Sequence, residues 1–412
     1  MKGRISAARA LGLLLFICIL VTVSSVVLWI IDAKPSGWIL SGLAAAGFLG
    51  FRLSRAWTFV TAGKLQWLKS LCLYLALVMI TALAVCVSRP DFSVSFRGTF
   101  VREVIREIRN LPSMAGNGML SLGAKYAVRG SEWEPPEGYT YTKYGGSGEP
   151  VLELLEKDGA GSNKLIIQFH GGAYVIALND IYRDMAVRYS KLWNDADVLN
   201  VDYRIAPEHV FPAALDDGEQ AWHWAKLNGY KPEDIVIAGD SAGGNLALAL
   251  TLRLRDAGEK PRAIICMSPW ADLAGDGESH KANLYKDPMF GKAKHSAEEI
   301  RNEGENQEEK KSPADGEKPM TSLYMGDADP RNPYLSPVFA SYEDFPSMLI
   351  QVGTWEVLES DSDTIYLKAR DCGVDVTLSK YRGMWHVFQQ TADFVPEAKK
   401  AWKEVGNFLR AL

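Results

Sequence analysis

The chain has few cysteines, few histidines, no internal repeat and little excess charge. Its 5 cysteines, among 412 residues, are scattered, and no spacing between them matches a zinc site, a redox pair or a disulfide framework. The 45 basic and 50 acidic residues leave a net charge of -5, without the basic surface that nucleic-acid-binding proteins need. We therefore expect no nucleic-acid partner and no fold built around zinc or disulfides. The cysteine pattern does not decide the cellular compartment.

Long apolar runs are present, and they lie near the start of the chain. The runs are Ala10 to Ile31, Gly37 to Phe51 and Ser70 to Val87. The first is long enough to cross a bilayer, which takes about 20 residues. A cleaved signal peptide does not explain all three runs, and buried helices of a soluble domain would show a polar face. The sequence therefore predicts a membrane anchor with two or three transmembrane helices.

Basic residues indicate the orientation of this anchor. They precede the first apolar run, as Arg4 does, and they lie between the second and third runs, as Arg52 and Lys64 do. By the positive-inside rule both positions are cytoplasmic. Three spans place the rest of the chain outside the cytoplasm, and two spans place it inside. We favour a multi-pass membrane protein whose remaining chain lies on the non-cytoplasmic side, and the lipid bilayer is then a partner.

One short motif dominates the remainder of the chain. Gly239-Asp240-Ser241-Ala242-Gly243 has the pattern G-x-S-x-G, with an apolar run before it and an alanine- and leucine-rich run after it. A strand, a sharp turn and a helix in this order are typical of a nucleophile elbow, which lifts the serine hydroxyl clear of the sheet. The helix N-terminus also brings unpaired N–H groups beside Ser241. The alternative is a tight turn with an idle serine.

Strand-like and helix-like segments alternate from about residue 139. The expected strands are 139–144, 151–156, 164–169, 196–201, 235–238, 263–267, 348–352 and 374–380. The expected helices are 180–193, 213–227, 245–254, 361–371 and 396–409. The alternation predicts an α/β fold with a mostly parallel sheet, helices on both faces and an antiparallel first pair of strands. Ligand sites in such sheets lie at the carboxyl ends of the strands, where Ser241 is expected.

Composition divides the chain into three predicted domains. They are a membrane anchor (1–90), linker or cap helices (91–138) and a catalytic domain (139–412). Apolar residues at helical spacing in the second part are Val101, Val104, Ile105 and Ile108. A polar insertion at about 274–320 is crowded with charge, so we expect it to be solvated and partly disordered. His280 and His295 lie in this insertion, and we expect no metal role for either.

A serine hydroxyl is a weak nucleophile at neutral pH and needs a histidine base oriented by a carboxylate. Of the histidines after Ser241, His386 is the one in a loop directly after the last strand, and it is the predicted base. The acid should follow the preceding strand, where Glu356 lies nearest to the strand end. Asp361 is the rival, although we expect it to cap the following helix, and we expect Glu359 to face solvent. A purely structural role is the alternative for His386.

The transition state of acyl transfer carries an oxyanion, which needs preorganised N–H donors. One donor is expected from Ala242, directly after the nucleophile. The others are expected from the glycine-rich turn His170 to Tyr174, which follows an early strand. Gly172 and Ala173 are the predicted donors and Gly171 is predicted to allow the turn. We expect the histidine of this turn to brace the loop.

Four sequence blocks resemble the hormone-sensitive-lipase-like branch of the α/β-hydrolases, a group of esterases and acetyl hydrolases. The blocks are His170 to Val175, Asp202 to Ala213, Gly239 to Asn245, and the Glu356 segment with Gly383 to Phe388. The resemblance covers about residues 139 to 410 and implies the α/β-hydrolase fold. It also implies a nucleophile, a base, an acid and three oxyanion donors at Ser241, His386, Glu356, Gly172, Ala173 and Ala242.

The chain departs from this family pattern at three places. Ala173 stands where many members have a third glycine, although its N–H is retained. The acid Glu356 replaces the commoner aspartate. The polar insertion lies where members often build part of the lid over the acyl pocket, so the resemblance does not fix the longest acyl chain that the pocket accepts.

The sequence thus predicts a membrane-anchored serine carboxylic-ester hydrolase that needs no cofactor and no metal. The resemblance favours short acyl groups such as acetyl, and an outward-facing site suits small-molecule or glycan esters. A lipase or amidase acting on membrane lipid is a second hypothesis, because the anchor brings the site near the bilayer. A catalytically idle binding protein on the same fold is a third, although the complete catalytic set argues against it.

Overall fold

The computed structural model describes residues 93–109, 133–291 and 320–412. The predicted membrane spans and His295 lie outside these residues. Within the described ranges, no helix has both the length and the apolar character needed to cross a membrane. The chain divides into two compact units between Val101 and Arg102. Of the first unit only residues 93–101 are described, and they begin helix α1 (Phe96–Arg109).

The second unit is organised around an eight-stranded sheet. Its strands are β1 (Tyr139–Gly145), β2 (Val151–Lys157), β3 (Leu165–Phe169), β4 (Asp197–Asp202), β5 (Ile235–Asp240), β6 (Ala263–Met267), β7 (Ser347–Gly353) and β8 (Val376–Tyr381). They lie in the order β1-β2-β4-β3-β5-β6-β7-β8. The β1–β2 and β2–β4 pairs are antiparallel, and the other pairs are parallel. The prediction of a mostly parallel sheet with an antiparallel start is confirmed.

Helices cover both faces of this sheet. The second unit contains α2 (Asp180–Leu192), α3 (Ala213–Leu227), α4 (Ala242–Asp256), α5 (Ser279–Ala282), α6 (Met320–Met325), α7 (Glu359–Asp371) and α8 (Pro396–Ala411). Helices α2 and α8 pack together on one face, α3 and α4 pack together on the other, and α7 lies against β7 and β8. This arrangement is the α/β architecture that the alternating pattern predicts.

The core is centred on β3, β5 and β6, whose residues are buried along their whole length. Apolar runs without alternation are typical of strands covered on both faces. Each fully buried leucine or isoleucine contributes roughly 1.5–3 kcal/mol relative to exposure. Helix α4 is buried at nearly every position because it lies between the sheet and α3. The buried centre of the sheet therefore supports the turn that follows β5.

One boundary prediction was wrong, and one helix is covered on a side that the sequence did not indicate. Helix α7 begins at Glu359, so Asp361 lies inside the helix and does not cap it. On α1, the apolar positions Val104 and Ile108 are each 39% exposed, whereas Arg102 is fully buried. Hydrophobic spacing therefore predicted the helix but not the side of it that is covered.

Candidate active site

The predicted nucleophile, Ser241, lies between the end of β5 and the start of α4. Its backbone has φ 53° and ψ -120°, a left-handed conformation that few non-glycine residues adopt. A Cβ at Gly239 would overlap the carbonyl oxygen of Gly243, and a Cβ at Gly243 would overlap that of Phe169. Both glycines of the motif are therefore required by close backbone approach. The strand, turn and helix around the motif have the geometry of an elbow.

The predicted acid and base, Glu356 and His386, are hydrogen-bonded to each other. His386 Nδ1 lies 2.9 Å from Glu356 Oε2, and both side chains are buried. Since the carboxylate accepts, the proton is on Nδ1, and Nε2 is left as the acceptor nitrogen. Among the described residues, Nε2 has no hydrogen-bond partner. The imidazole thus has the tautomer that a general base requires, and its basic nitrogen makes no hydrogen bond to Ser241 Oγ in this structure.

Two further donors reach the carboxylate of Glu356. Ser268 Oγ donates to Oε1 at 2.7 Å, and the Gly353 N–H donates to the same oxygen. Burial raises the pKa of Glu356, while the hydrogen bonds from His386, Gly353 and Ser268 act in the opposite direction. Fully buried carboxylates need such donors, because an isolated charge is very unfavourable in a protein interior.

Residues 267 and 268 connect the nucleophile to the acid and the base. The Ser241 N–H donates to the Met267 carbonyl at 3.0 Å. Ser268 donates to Glu356 and accepts from the Val387 N–H at 3.2 Å, one residue after His386. Sequence reasoning missed Ser268. Its position at the end of β6, beside the strand that leads to Glu356, was the signal that could have found it.

The predicted oxyanion loop is tied to the nucleophile motif. The Gly171 N–H donates to Tyr182 Oη at 2.8 Å, and Tyr182 donates in turn to Asp240 Oδ2 at 3.0 Å. A Cβ at Gly171 would lie 2.7 Å from that carboxylate oxygen, so only glycine fits. Burial raises the pKa of Asp240 to about 7. Gly171 therefore fixes the turn, and its own N–H is already used.

The next two residues of this loop present their N–H groups differently. Gly172 has φ 116° and Ala173 has φ 53°, both in the left-handed region. Within the described part of the chain, neither N–H donates a hydrogen bond. The N–H of Ala242 lies at the first position of α4, where helices have no internal acceptor. These three groups are the available donors for an oxyanion.

His170 braces the loop, as the sequence predicts. Its ring stacks on Tyr203 at 4.1 Å, and its Nδ1 donates to the Gly171 carbonyl at 2.8 Å. Burial lowers the pKa of His170, so the ring is neutral near pH 7. Nearby, Arg204 pairs with the buried carboxylate of Asp217 at 2.6 Å, which agrees with a structural role for this block.

The rival acids have other partners. Asp361 accepts the N–H groups of Ala271 and Asp272, and its Oδ1 lies 2.9 Å from His280 Nε2. Glu359 does not face open solvent as expected, because it is half-buried and pairs with Lys380 at 2.7 Å. Of the three candidate carboxylates, Glu356 is therefore the one bonded to His386.

The start of the polar insertion is more ordered than its composition suggests. Asp272, His280 and Asp361 bring ligand atoms within 4.8 Å of one another. Asp272 accepts four backbone N–H groups, from residues 274 to 277, and Asp361 accepts two. Because these oxygens already have donors, the cluster fixes the loop and is not a site prepared for a metal.

Comparison with known proteins shows which family the chain resembles. The family model of the α/β hydrolase fold matches residues 166–390. The chain is 34% identical over 258 residues to an esterase of Acinetobacter venetianus, covering 61% of this chain and 77% of that protein. It is 33% identical over 248 residues to an acetyl-hydrolase of Streptomyces hygroscopicus, covering 60% of this chain and 75% of that protein.

Solved structures give the same result. An esterase/lipase from an uncultured bacterium has a TM-score of 0.63 and 32% identity, over 76% of this chain and 98% of that one. An esterase from the bacterial hormone-sensitive lipase family has a TM-score of 0.63 and 31% identity, over 77% of this chain and 98% of that one. The likeness covers nearly the whole of each of these structures.

Proposed function

We propose that this chain, which belongs to the α/β-hydrolase family and is a carboxylic-ester hydrolase of its hormone-sensitive-lipase-like branch, is a serine esterase for short acyl groups. From the long apolar runs near the start of the sequence we further propose that it is anchored in a membrane. We assign Ser241 as nucleophile, His386 as base and Glu356 as acid. The observation that carries this assignment is the buried 2.9 Å bond from His386 Nδ1 to Glu356, with Nε2 left as the acceptor.

The reaction proceeds in two half-reactions. His386 Nε2 takes the proton of Ser241 as Oγ attacks the ester carbonyl, and Glu356 stabilises the imidazolium that forms. The oxyanion is held by the N–H groups of Gly172, Ala173 and Ala242. The tetrahedral intermediate collapses, the imidazolium protonates the leaving alcohol, and an acyl-Ser241 ester remains. Water then attacks with His386 as base, which releases the carboxylic acid and restores the serine.

The preference for short acyl groups is supported by a relative named acetyl-hydrolase. The first assay is hydrolysis of p-nitrophenyl esters from acetyl to long acyl by wild type and Ser241→Ala, with the exposed Ser341→Ala as matched control. Loss of the nucleophile is expected to lower kcat about 10⁶-fold. A peak at long acyl chains would indicate a lipase. Equal rates for wild type and Ser241→Ala would favour a binding protein.

Anchoring rests on the apolar runs of residues 1–90, with residues 91–138 as linker or cap. Cys372 is exposed on the catalytic domain, whereas Cys266 is buried, so Cys372 is a native reporter of sidedness. In intact cells expressing the full chain, a membrane-impermeant maleimide is expected to label Cys372, and the Cys372→Ser variant controls for labelling elsewhere. Labelling only after lysis would place the domain in the cytoplasm and contradict the three-span topology.

A further inference from the structure

The second compact unit begins with a buried cation. Arg102, on α1, is fully buried, and its guanidinium lies 3.6 Å from the ring centroid of Trp355. Its Nη1 donates to the Gly383 carbonyl at 3.0 Å. Trp355 directly precedes Glu356, and Gly383 lies three residues before His386. One side chain therefore contacts both the loop that carries the acid and the loop that carries the base.

These two loops are already joined by hydrogen bonds. The Trp355 N–H donates to the Met384 carbonyl at 3.1 Å, and the Gly383 N–H donates to Thr354 Oγ1 at 3.0 Å. Arg102 adds a contact from a different part of the chain, 281 residues away in sequence from Gly383. The hydrogen bonds between the two loops hold them to each other but do not restrict movement of the pair as a unit. Arg102 therefore restricts that shared movement.

The same helix also holds the start of the polar insertion. Arg106 donates to the Lys286 carbonyl at 2.9 Å, and Arg109 donates to the Asp287 carbonyl at 2.8 Å. The side chain of Asp287 accepts the Val357 N–H at 2.9 Å, one residue after the acid. The three arginines thus lie along one side of α1. Arg102 contacts the loops that carry the acid and the base, and the other two contact the segment that hydrogen-bonds to the residue after Glu356.

We propose that Arg102 is a positioning residue for the esterase reaction: it fixes the acid and base loops relative to each other through Trp355 and Gly383. The inference rests on the proposed triad of Ser241, His386 and Glu356. A guanidinium suits this role because its planar group can stack on an aromatic ring and donate in its own plane at the same time. A lysine would retain the charge and lose that combination of contacts.

The test compares full-length Arg102→Met and Arg102→Lys with the control Arg188→Met. Arg188 also lies over a tryptophan ring, that of Trp402 at 5.4 Å, but it pairs with the exposed Asp393. With p-nitrophenyl acetate, the expected loss in kcat for Arg102→Met is up to about 100-fold at little-changed KM, since small misplacements of catalytic groups have effects of this size. The kcat of Arg102→Lys is expected to stay well below that of wild type, and the kcat of Arg188→Met is expected to equal that of wild type.

The pH profile and melting temperature separate positioning from other roles. If Arg102 positions the loops, the high-pH plateau of kcat/KM stays low in both Arg102 variants. Full activity in Arg102→Lys would show that only the charge matters. A lower melting temperature with wild-type kcat, measured well below that temperature, would show a merely structural role. Either result would overturn the proposal.

Two further measurements keep the test decisive. If Arg102→Met does not fold, Trp355→Leu removes the same contact from the other side and is expected to show the same loss in kcat. Ser241→Ala is assayed in parallel. If wild type shows no Ser241-dependent activity, the proposed function fails; if it does and the Arg102 variants match Arg188→Met, only the positioning inference fails.

Discussion

Removing one hydroxyl, in Ser268→Ala, is expected to disfavour the charged form of Glu356, the proposed acid, without a change in any residue that contacts the substrate. Ser268 Oγ donates to Glu356 Oε1 at 2.7 Å, and the carboxylate is fully buried. The remaining donors are the Gly353 N–H and His386. Loss of one donor disfavours the charged carboxylate, so the pKa of Glu356, which burial already raises, rises further.

The magnitude follows from the kind of hydrogen bond. A hydrogen bond to a charged group contributes about 1.5–3 kcal/mol. A tenfold change in rate corresponds to about 1.36 kcal/mol, so weakening the charged form of Glu356 by the energy of one such hydrogen bond should lower kcat/KM about 10- to 100-fold. The loss should be greatest at the acidic end of the pH profile, where protonation of Glu356 is favoured.

The assay is the pH profile of kcat/KM on p-nitrophenyl acetate for wild type, Ser268→Ala and Ser336→Ala. Ser336 is a matched control, because it is a fully buried serine whose Oγ accepts the Leu273 N–H at 2.9 Å. Loss of the Ser336 hydroxyl should lower the free energy of unfolding without changing the pH profile of kcat/KM. A Ser268→Ala profile that coincides with that of Ser336→Ala would refute the assigned role of this hydroxyl.

Three other changes test the supports of the site. Burial raises the pKa of Asp240 to about 7, and an unfolded aspartate ionises near about pH 4, so wild-type stability should fall as pH rises between these values. In urea titrations Asp240→Asn should show a smaller fall than wild type, because burial also raises the pKa of Asp197 and of Asp361 to about 6, and an unchanged pH dependence would contradict the role of Asp240. Gly171→Ala places a Cβ 2.9 Å from Tyr182 Oη and should lower kcat about 10²-fold with an unchanged circular dichroism spectrum; wild-type kcat would count against a strict need for glycine. Asp217→Ala leaves Arg204 without its buried partner and should lower the free energy of unfolding by about 3 kcal/mol, measured in urea, whereas no change would show that the pair is dispensable.

Local patterns predicted the parts of the site that lie on the sheet. The elbow could be located because a turn of small residues between an apolar strand and a helix is typical of a nucleophile elbow, with Ser241 at its centre. Glu356 and His386 could be chosen because they follow the last two strands, and parallel strands end at one edge. The structure joins these two side chains by the 2.9 Å bond described above. The contact between these two side chains was therefore predictable from their places after neighbouring strands.

The supporting residues could not be predicted in the same way. Ser268 acts through a contact 88 residues away in sequence, and a serine before a proline has no local signature of that contact. Arg102 lies beside Val101 and near Val104, and hydrophobic spacing gave no sign that this arginine would be the buried residue. A charged residue is buried only when particular partners surround it, and those partners come from distant segments. Pair contacts of this kind are determined by the whole fold.

The position of each catalytic group in the sheet has a consequence for local opening. Ser241 follows the central strand β5 and precedes the almost wholly buried helix α4, whereas His386 follows the edge strand β8, whose residues are largely half-buried or exposed. Amide hydrogen exchange should accordingly be slowest in β5 and α4 and faster in β8. Mild denaturant is then expected to abolish turnover through opening of the edge while the surroundings of the nucleophile remain protected.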